Sequence, residues 1–564
     1  MEKVSGAEAV VLSLIEEGQD TIFGYPGGAV IPIYDRLYFH TNEIHHVLAR
    51  HEQGAVHEAQ AYAQITGKPG VCIVTSGPGA TNAITGVANA NMDSVPLVVI
   101  SGQVIEGFLG SDAFQETDVF GLSMPIAKWS IQVTRAEDIA EAMAKAFYVA
   151  VTGRPGVVMV DITKNALTSK TEFKYHKSPT LRSYAPYPDI DAEVIARAAA
   201  TINSAKKPII LLGHGVLIAN AQRQVKEFVE KTGIPFGMTL MGLTSLPSSH
   251  PLCVGMLGMH GSYAVNILTN QADLIIAIGM RFSDRVTGRL QGYAPRAKVI
   301  HIEIDKSEID KNVETDIAIH ADLKTAITRM LPLLHSNDYS DWREEFYKLY
   351  DKEYAEVIKK DLYSNLPVIQ PGEPVAMVSK KTNGDAVVVT DVGQNQMVAA
   401  RYYDFKYPNT FLTSGGLGTM GFGLPAAVGA AVAQNSRPVV LFTGDGGFQM
   451  NEQELGTIVQ EKLPVKIVIL NNSVLGMVRQ WQNMFQEKRY SQTDLVNPDF
   501  VALAKAYNIP GQRVERRQDL EQAIDKMLEA KTAYLLEVVV DKDMKVFPFI
   551  APGSSVDEMK LNED

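Results

Sequence analysis

Apolar residues along the chain fall into a repeating unit: a short unbroken run that ends in Gly, Ser, Asn or Asp, followed by a stretch of helical period. The runs are GVCIVTSGPG (70–79), PLVVISGQ (96–103), GVVMVDI (156–162), PIILLGHG (208–215), LIIAIGMRF (274–282), KVIHIEID (298–305), AVVVTDVGQ (386–394), PVVLFTGDGG (438–447), VKIVILNN (465–472) and YLLEVVVD (534–541). Runs rich in β-branched residues predict strands buried on both faces, and hence parallel sheets covered by helices. The expected fold is α/β, built from doubly wound parallel sheets, with functional residues at the carboxyl ends of strands. The opening MEKVSGAEAVVLSLIEEG predicts an amphipathic helix with Ala9, Leu12 and Ile15 near helical spacing. It has no basic segment leading into an apolar one, and no run approaches the ~18 residues of a membrane span, so the expected location is the cytosol with no membrane partner.

Two polar breaks, 164–190 and 336–372, divide the pattern into blocks 1–165, 190–335 and 370–564. The 46% hydrophobic and 21% charged content excludes a disordered chain. A net charge of −12 removes any general attraction for nucleic acid. Two cysteines, Cys72 and Cys253, are too few for a disulfide framework or a Cys-rich zinc site. His45, His46, His51 and His57 crowd one region, but His51-Glu52 and His57-Glu58 are followed by Ala55 and Ala61 where H-E-x-x-H needs a second histidine.

The third block carries the strongest chemical signal. A predicted strand runs into Gly444-Asp445-Gly446-Gly447, a helical stretch follows with Asn451 as its expected cap and Glu454 three residues on, and the next strand ends in Asn471-Asn472. A strand–helix–strand crossover brings Asp445 and Asn472 to one sheet edge. A carboxylate and an amide oxygen there suit Mg²⁺, which completes its shell with phosphate oxygens. Gly444, Gly446 and Gly447 let the backbone approach a diphosphate near a helix N-terminus.

This GDG…NN arrangement resembles the thiamin diphosphate signature, in which a backbone carbonyl at the position of Val474 is the third metal ligand. Arg50-His51-Glu52-Gln53-Gly54-Ala55 resembles the glutamate segment of the same superfamily, where a carboxyl group contacts the thiamin ring at N1′. Thr75-Ser76-Gly77-Pro78-Gly79-Ala80-Thr81-Asn82 resembles its turn beside the thiamin pyrimidine. FGYPGGAVIPIYD (23–35), GSDAFQETD (110–118), SGGLGTMGFGLPAA (414–427) and GMVRQWQ (476–482) are similar to the acetohydroxyacid (acetolactate) synthase catalytic subunits, so that the resemblance covers essentially the whole chain. It implies three domains of the thiamin diphosphate-binding (pyruvate oxidase/decarboxylase-like) type. These are a pyrimidine-binding domain (1–165), an FAD-binding domain (190–335) and a diphosphate- and Mg²⁺-binding domain (370–564) that ends in a lid.

The resemblance also implies residue roles. Gly418 and Met420 contact the pyrimidine, and Met450 and Met477 join the cofactor-binding set. Gly28, Phe114, Gln115 and Lys164 line the substrate channel, although VDITKNA stands here where VDLPKDV is expected. Trp481 narrows the pocket and favours 2-oxobutyrate over pyruvate as second substrate. GMLGMHG (255–261) and IGMRFSDRVTG (278–288) resemble the FAD-bearing, biosynthetic version, with Met259 and His260 at the flavin. Arg281 and Arg154 suit the diphosphate, Glu303, Asp305 and Asp322 suit ribose hydroxyls, and Gly213 and Gly215 form a partial G-x-G; NAD is the alternative nucleotide. The implied partners are pyruvate, 2-oxobutyrate, a second copy of the chain in a homodimer or homotetramer, and a small regulatory subunit. A catabolic synthase without flavin, a pyruvate oxidase and a non-catalytic nucleotide-binding regulator stay open as alternatives.

Overall fold

The computed structural model describes residues 3–177, 179–433 and 436–563. The buried apolar runs form three six-stranded parallel sheets. The first contains β2 (Thr21–Gly24), β3 (His45–Leu48), β4 (Gly70–Val74), β5 (Leu97–Gln103), β6 (Trp129–Val133) and β7 (Val157–Thr163); β1 (Lys3–Ser5) and β8 (Lys170–Glu172) pair antiparallel beside it. The second contains β9 (Pro208–Leu212), β10 (Phe236–Met238), β11 (Cys253–Met256), β12 (Leu274–Ile278), β13 (Lys298–Glu303) and β14 (Ile317–His320). The third contains β15 (Val387–Thr390), β16 (Phe411–Leu412), β17 (Val439–Gly444), β18 (Lys466–Asn471), β19 (Gly511–Val514) and β20 (Tyr534–Val539).

The first and third sheets share one strand order. It runs β3-β2-β4-β5-β7-β6 in one and β16-β15-β17-β18-β20-β19 in the other. Each reverses direction beside its first strand, which places a crevice at the carboxyl ends of β2 and β4, and of β15 and β17. The central sheet differs: β11-β10-β9-β12-β13-β14 is the order of dinucleotide-binding sheets, with its crevice between β9 and β12.

Alternation along the strands decides which domain each residue packs toward. On the third sheet Val387, Val389, Val439, Leu441, Ile467 and Ile469 enter one apolar cluster with Phe23, Val47, Val74 and Val99 of the first sheet. Their neighbours Val388, Val440, Phe442 and Val468 belong to the cluster that contains the central sheet. The contact with the first domain runs through two helices, Glu52–Thr66 and Gly423–Ala433, the second of which is GLPAAVGAAVA. Small side chains let the backbones approach closely, and a Cβ on Gly429 would lie 2.0 Å from the carbonyl oxygen of Glu58.

Local expectations fared unevenly. The N-terminal helix forms over Gly6–Glu16 with Ser5 as its cap, but it buries Ala7, Ala9, Val10, Val11 and Leu14, while Leu12 and Ile15 stay half-buried. Asn451 does not cap the following helix. Its amide donates to Gly421 O at 2.7 Å, a turn Glu452–Glu454 intervenes, and the Glu454 carboxylate accepts from Arg50 N of the first domain rather than closing a capping box. Among the described residues no helix is long and apolar enough to cross a membrane.

Replacing Gly429 by Val should push the two helices apart and destabilise the protein by ~1–3 kcal/mol. Thermal unfolding would read this, and an unchanged midpoint would show that the helix crossing has slack.

Candidate active site

At the carboxyl edge of the third sheet, β17 and β18 are paired in register, so Asp445 and Asn472 emerge side by side. Asp445 opens the short helix Asp445–Phe448 and is 1% exposed. Its Oδ2 accepts from Asn497 Nδ2 at 2.6 Å, and burial raises its pKa against this bond and neighbouring backbone N–H groups. Asn472 donates to Gln394 Oε1 at 3.2 Å. Asp445, Gly446, Gly447, Asn472 and Val474 line a cleft of about 70 Å³ together with Met420 and Met477.

The donor set fits Mg²⁺ and a diphosphate: one carboxylate, one amide oxygen and backbone carbonyls suit a hard cation that keeps few protein ligands. Among the described residues no three His, Cys, Asp or Glu side chains gather as a metal site. Asp391 organises this edge. It is fully buried and accepts from Val392 N (2.8 Å), Gly421 N (3.0 Å) and Gly423 N (2.9 Å). A Cβ on Gly447 would meet its Oδ1 at 2.5 Å.

Met420 and Met477 also line a second cavity, of about 980 Å³, that continues into the central domain. Gly418 and Trp481 lie on its wall. Trp481 belongs to the helix Gly476–Phe485 and is half-buried, its ring centroid 5.4 Å from that of Phe485 and 6.2 Å from that of Phe549 in the C-terminal segment. That segment is anchored. Gln480 donates to Val546 O and accepts from Val546 N, Gln394 donates to Met544 O, and Ser555 donates to Gly292 O of the central domain.

The central half of the cavity is lined by Arg154, Gly213, Gly215, Met259, His260, Arg281, Glu303 and Asp322. Asp305 is not on its wall. It caps the next turn by accepting from Ser307 and pairs with Arg154 at 3.0 Å, so the ribose role expected for it does not fit. Arg154 is held by Asp305 and by Glu308 at 2.9 Å, which neutralises the charge expected to meet a diphosphate. Arg281 makes no ion pair among the described residues, and its hydrogen bond there goes to Met92 Sδ at 3.3 Å. Burial raises the Glu303 carboxyl to about 7, and Asp322 uses one oxygen to cap the helix Leu323–Met330 through Thr325.

Gly28, Glu52, Phe114, Gln115 and Lys164 lie on the wall of neither cavity. Glu52 begins the helix Glu52–Thr66 and accepts from Asn82 Nδ2 at 2.9 Å, with Gly79 close enough that a Cβ there would lie 3.3 Å from Glu52 Oε1. Gln115 has a positive φ of 59°, its backbone pressed against Gly77. Phe114 is 88% exposed, Met450 is 55% exposed, and Gly28 has open space beside it. Lys164, itself exposed, opens a short helix, Lys164–Thr168, whose Ala166 and Leu167 are buried. Thr163, in the place of the expected proline, donates to Val133 O at 3.3 Å, and Asn165 ties the turn to Glu106 N and Thr134 O.

Family models agree with this layout. The N-terminal TPP binding domain of thiamine pyrophosphate enzymes matches residues 4–122, their central domain 195–330 and their C-terminal TPP binding domain 391–538. The acetolactate synthase isozyme 3 large subunit of Escherichia coli K12 is 45% identical over 100% of this chain and 99% of its own length. The isozyme 2 large subunit of the same organism is 45% identical over 99% of each, and the Corynebacterium glutamicum acetolactate synthase large subunit is 43% identical over 98% of this chain and 90% of its own. The chain belongs to the acetolactate synthase large-subunit family.

As a member of the acetolactate synthases it is a thiamin diphosphate-dependent enzyme. Several groups that build the synthase site carry no motif of their own. Asp391 and Gln394 stand in the quoted run AVVVTDVGQ, whose polar end after an apolar strand was the available signal. Asn497 lies beyond any motif. Asp93 accepts from Gly416 N at 2.7 Å, and Asn89 accepts from the Thr419 hydroxyl at 3.0 Å, so the helix Pro78–Met92 and the residue after it hold the loop that carries Gly418 and Met420.

Replacing Gln480 by Leu removes both bonds to Val546 and should release the C-terminal segment, raising its rate of limited proteolysis ~10-fold or more, since proteolysis tracks local opening. Equal cleavage rates in wild type and variant would show that the bonds at Met544 and Ser555, with the apolar contacts, hold the segment without Gln480.

Proposed function

We propose that the chain condenses two molecules of pyruvate into 2-acetolactate, and pyruvate with 2-oxobutyrate into 2-aceto-2-hydroxybutyrate, as the first shared step of branched-chain amino acid synthesis. The observation that carries this is the meeting of the Asp445–Asn472 cleft with a cavity walled by Met420, Met477 and Trp481. Bound thiamin diphosphate supplies the electron sink that allows a 2-oxo acid to lose CO₂ and the remaining carbon to act as a nucleophile.

The residues divide the remaining work. Asp445, Asn472 and the Val474 carbonyl hold Mg²⁺, while Gly444, Gly446 and Gly447 leave room for the diphosphate. Met420, with Gly418, would support the cofactor's ring system, and Met450 and Met477 would join its binding set. Glu52 holds a proton at N1′ of the aminopyrimidine. In one copy of the chain Glu52 does not share a cavity with Asp445. The reading therefore assigns Glu52 to the cofactor of a second copy, together with Gly28, Phe114, Gln115 and Lys164 at the substrate entrance. These groups orient the acceptor acid and exclude water.

The central domain holds FAD. Its strand order and the 980 Å³ cavity lined by Gly213, Gly215, Met259, His260 and Arg281 support a dinucleotide there. Arg281 meets the diphosphate, and Glu303 and Asp322 stand near the ribose. The domain limits proposed are 1–165, 190–335 and 370–564. The working assembly is a homodimer or homotetramer in the cytoplasm, with a small regulatory subunit, and without nucleic acid or membrane.

The test is a product assay on purified protein with pyruvate, Mg²⁺ and thiamin diphosphate, with and without 2-oxobutyrate. Acetolactate from a yellow protein that consumes no oxygen fits the reading; oxygen consumption would make it an oxidase, a colourless active protein a flavin-free synthase, and absence of thiamin binding a regulator. Glu52→Gln should lower carboligation ~10²–10⁴-fold with cofactor binding largely kept, as expected for loss of a proton-transfer group; near-normal turnover would remove Glu52 from that role. Trp481→Leu should lower the preference for 2-oxobutyrate over pyruvate ~10-fold or more, the scale on which a shaped apolar pocket separates one methylene. An unchanged product ratio in competition would take Trp481 out of specificity.

A further inference from the structure

Two carboxyl groups are buried together where the first and third domains meet. Glu58 lies within the helix Glu52–Thr66, and Glu454 ends the turn Glu452–Glu454; both are 0% exposed, and their carboxyl groups are near enough to act on each other's charge. Their surroundings are unequal. Glu454 accepts from Arg50 N at both oxygens, 3.0 and 3.1 Å, and from the Thr457 hydroxyl at 2.7 Å. Among the described residues neither oxygen of Glu58 has a donor.

The charged and titratable groups facing the pair are few. Arg50 comes from the end of β3, Glu461 from the end of the helix Leu455–Gln460, and Cys72 from β4. His57, on the same helix as Glu58, is held neutral by burial, its pKa lowered to about 3. His45 is engaged with Glu461 at 2.9 Å. Among the described residues Arg50 is thus the cation the two carboxyls share, and an ionised Glu58 would be a buried charge with neither partner nor donor there. Glu454 has the donors and the cation, so the negative charge resides there. Glu58 lacks both, so the proton resides on it. Burial, reinforced by Glu454, pushes the Glu58 carboxyl well above the usual carboxylate range.

We propose that Glu58 is a positioning residue: it stays protonated in the working enzyme and donates that proton to Glu454, tying the Glu52 helix to the stretch of chain that begins at Asp445. The tie acts at the start of the helix. Glu454 holds the Arg50 amide two residues before Glu52, and a Cβ on Gly54 would lie 2.6 Å from Glu454 Oε1, so the carboxylate bears on the helix's first turn. Loss of the shared proton turns a hydrogen bond into repulsion between two carboxylates and displaces that turn. The proposal rests on the reading that Glu52 serves the cofactor ring.

The sign of the pH effect follows from linkage. The folded protein keeps the Glu58 proton where the unfolded chain has already released it, so stability falls as pH rises above the ordinary carboxylate range. Glu58→Gln keeps an N–H donor and cannot titrate. In the holoenzyme its unfolding midpoint should therefore rise relative to wild type between about pH 5 and about pH 8. A carboxylic-acid carbonyl band should appear in the wild-type minus Glu58→Gln infrared difference spectrum at neutral pH, where the raised Glu303 acid, common to both proteins, cancels. Glu58→Gln should turn over within about threefold of wild type, and Glu58→Ala should lose about tenfold or more in kcat with the KM for pyruvate unchanged. No acid band at neutral pH, a pH-independent difference in midpoint, or Glu58→Gln as impaired as Glu58→Ala would each overturn the proposal. If Glu58→Ala does not fold, the infrared and stability measurements on Glu58→Gln still decide. An active Glu52→Gln enzyme with the acid band intact would instead remove the Glu52 reading and leave the shared proton standing.

Discussion

The bonds that Asp391 makes with backbone N–H groups are the constraint on which the third domain's edge depends. Its carboxylate accepts from Val392 at the end of β15 and from Gly421 and Gly423 in the loop that carries Met420. The Gly447 backbone closes over it. A fully buried carboxylate survives only when hydrogen-bonded, and here its donors come from segments far apart in the chain, so satisfying the charge forces them together. The metal-ligand pair, the loop with Met420 and the entrance to the large cavity then inherit one geometry. Asn497 and Gln394 extend the pattern outward, by orienting Asp445 and Asn472 from behind.

What was legible in the amino-acid order was local. A strand, a Gly-rich turn, a helix and a second strand ending in Asn is one crossover, and its geometry follows from the handedness and length of such units. The adjacency of Asp445 and Asn472 could thus be read directly. So could the parallel sheets, because unbroken Val and Ile runs have no polar face to offer water. The division of the third sheet between two neighbouring domains was not readable, since Val387 and Val388 differ only in the side of the pleat they occupy.

The misreadings share a cause. Asn451 and Glu454 have the spacing of a cap, yet each found a partner elsewhere, Asn451 at Gly421 and Glu454 at Arg50. Arg154 and Asp305 were each read alone as cofactor ligands and turn out to satisfy one another, although 151 positions separate them. A polar side chain advertises its valence in the sequence but not its partner. Where the partner belongs to another domain, tertiary structure overrides the local pattern.

The crossing of the helices Glu52–Thr66 and Gly423–Ala433 bears on how the chain is made. The first sheet and its covering helix are complete early in synthesis, but the surface that seals one of their faces is translated roughly 350 residues later, about 20–70 s at ~5–20 residues per second. Throughout that interval the side of the helix Glu52–Thr66 that faces the third domain has no permanent cover. The nascent first domain is therefore a client for whatever shields apolar surface at the ribosome, and its final fold is reached only when the last third of the chain arrives.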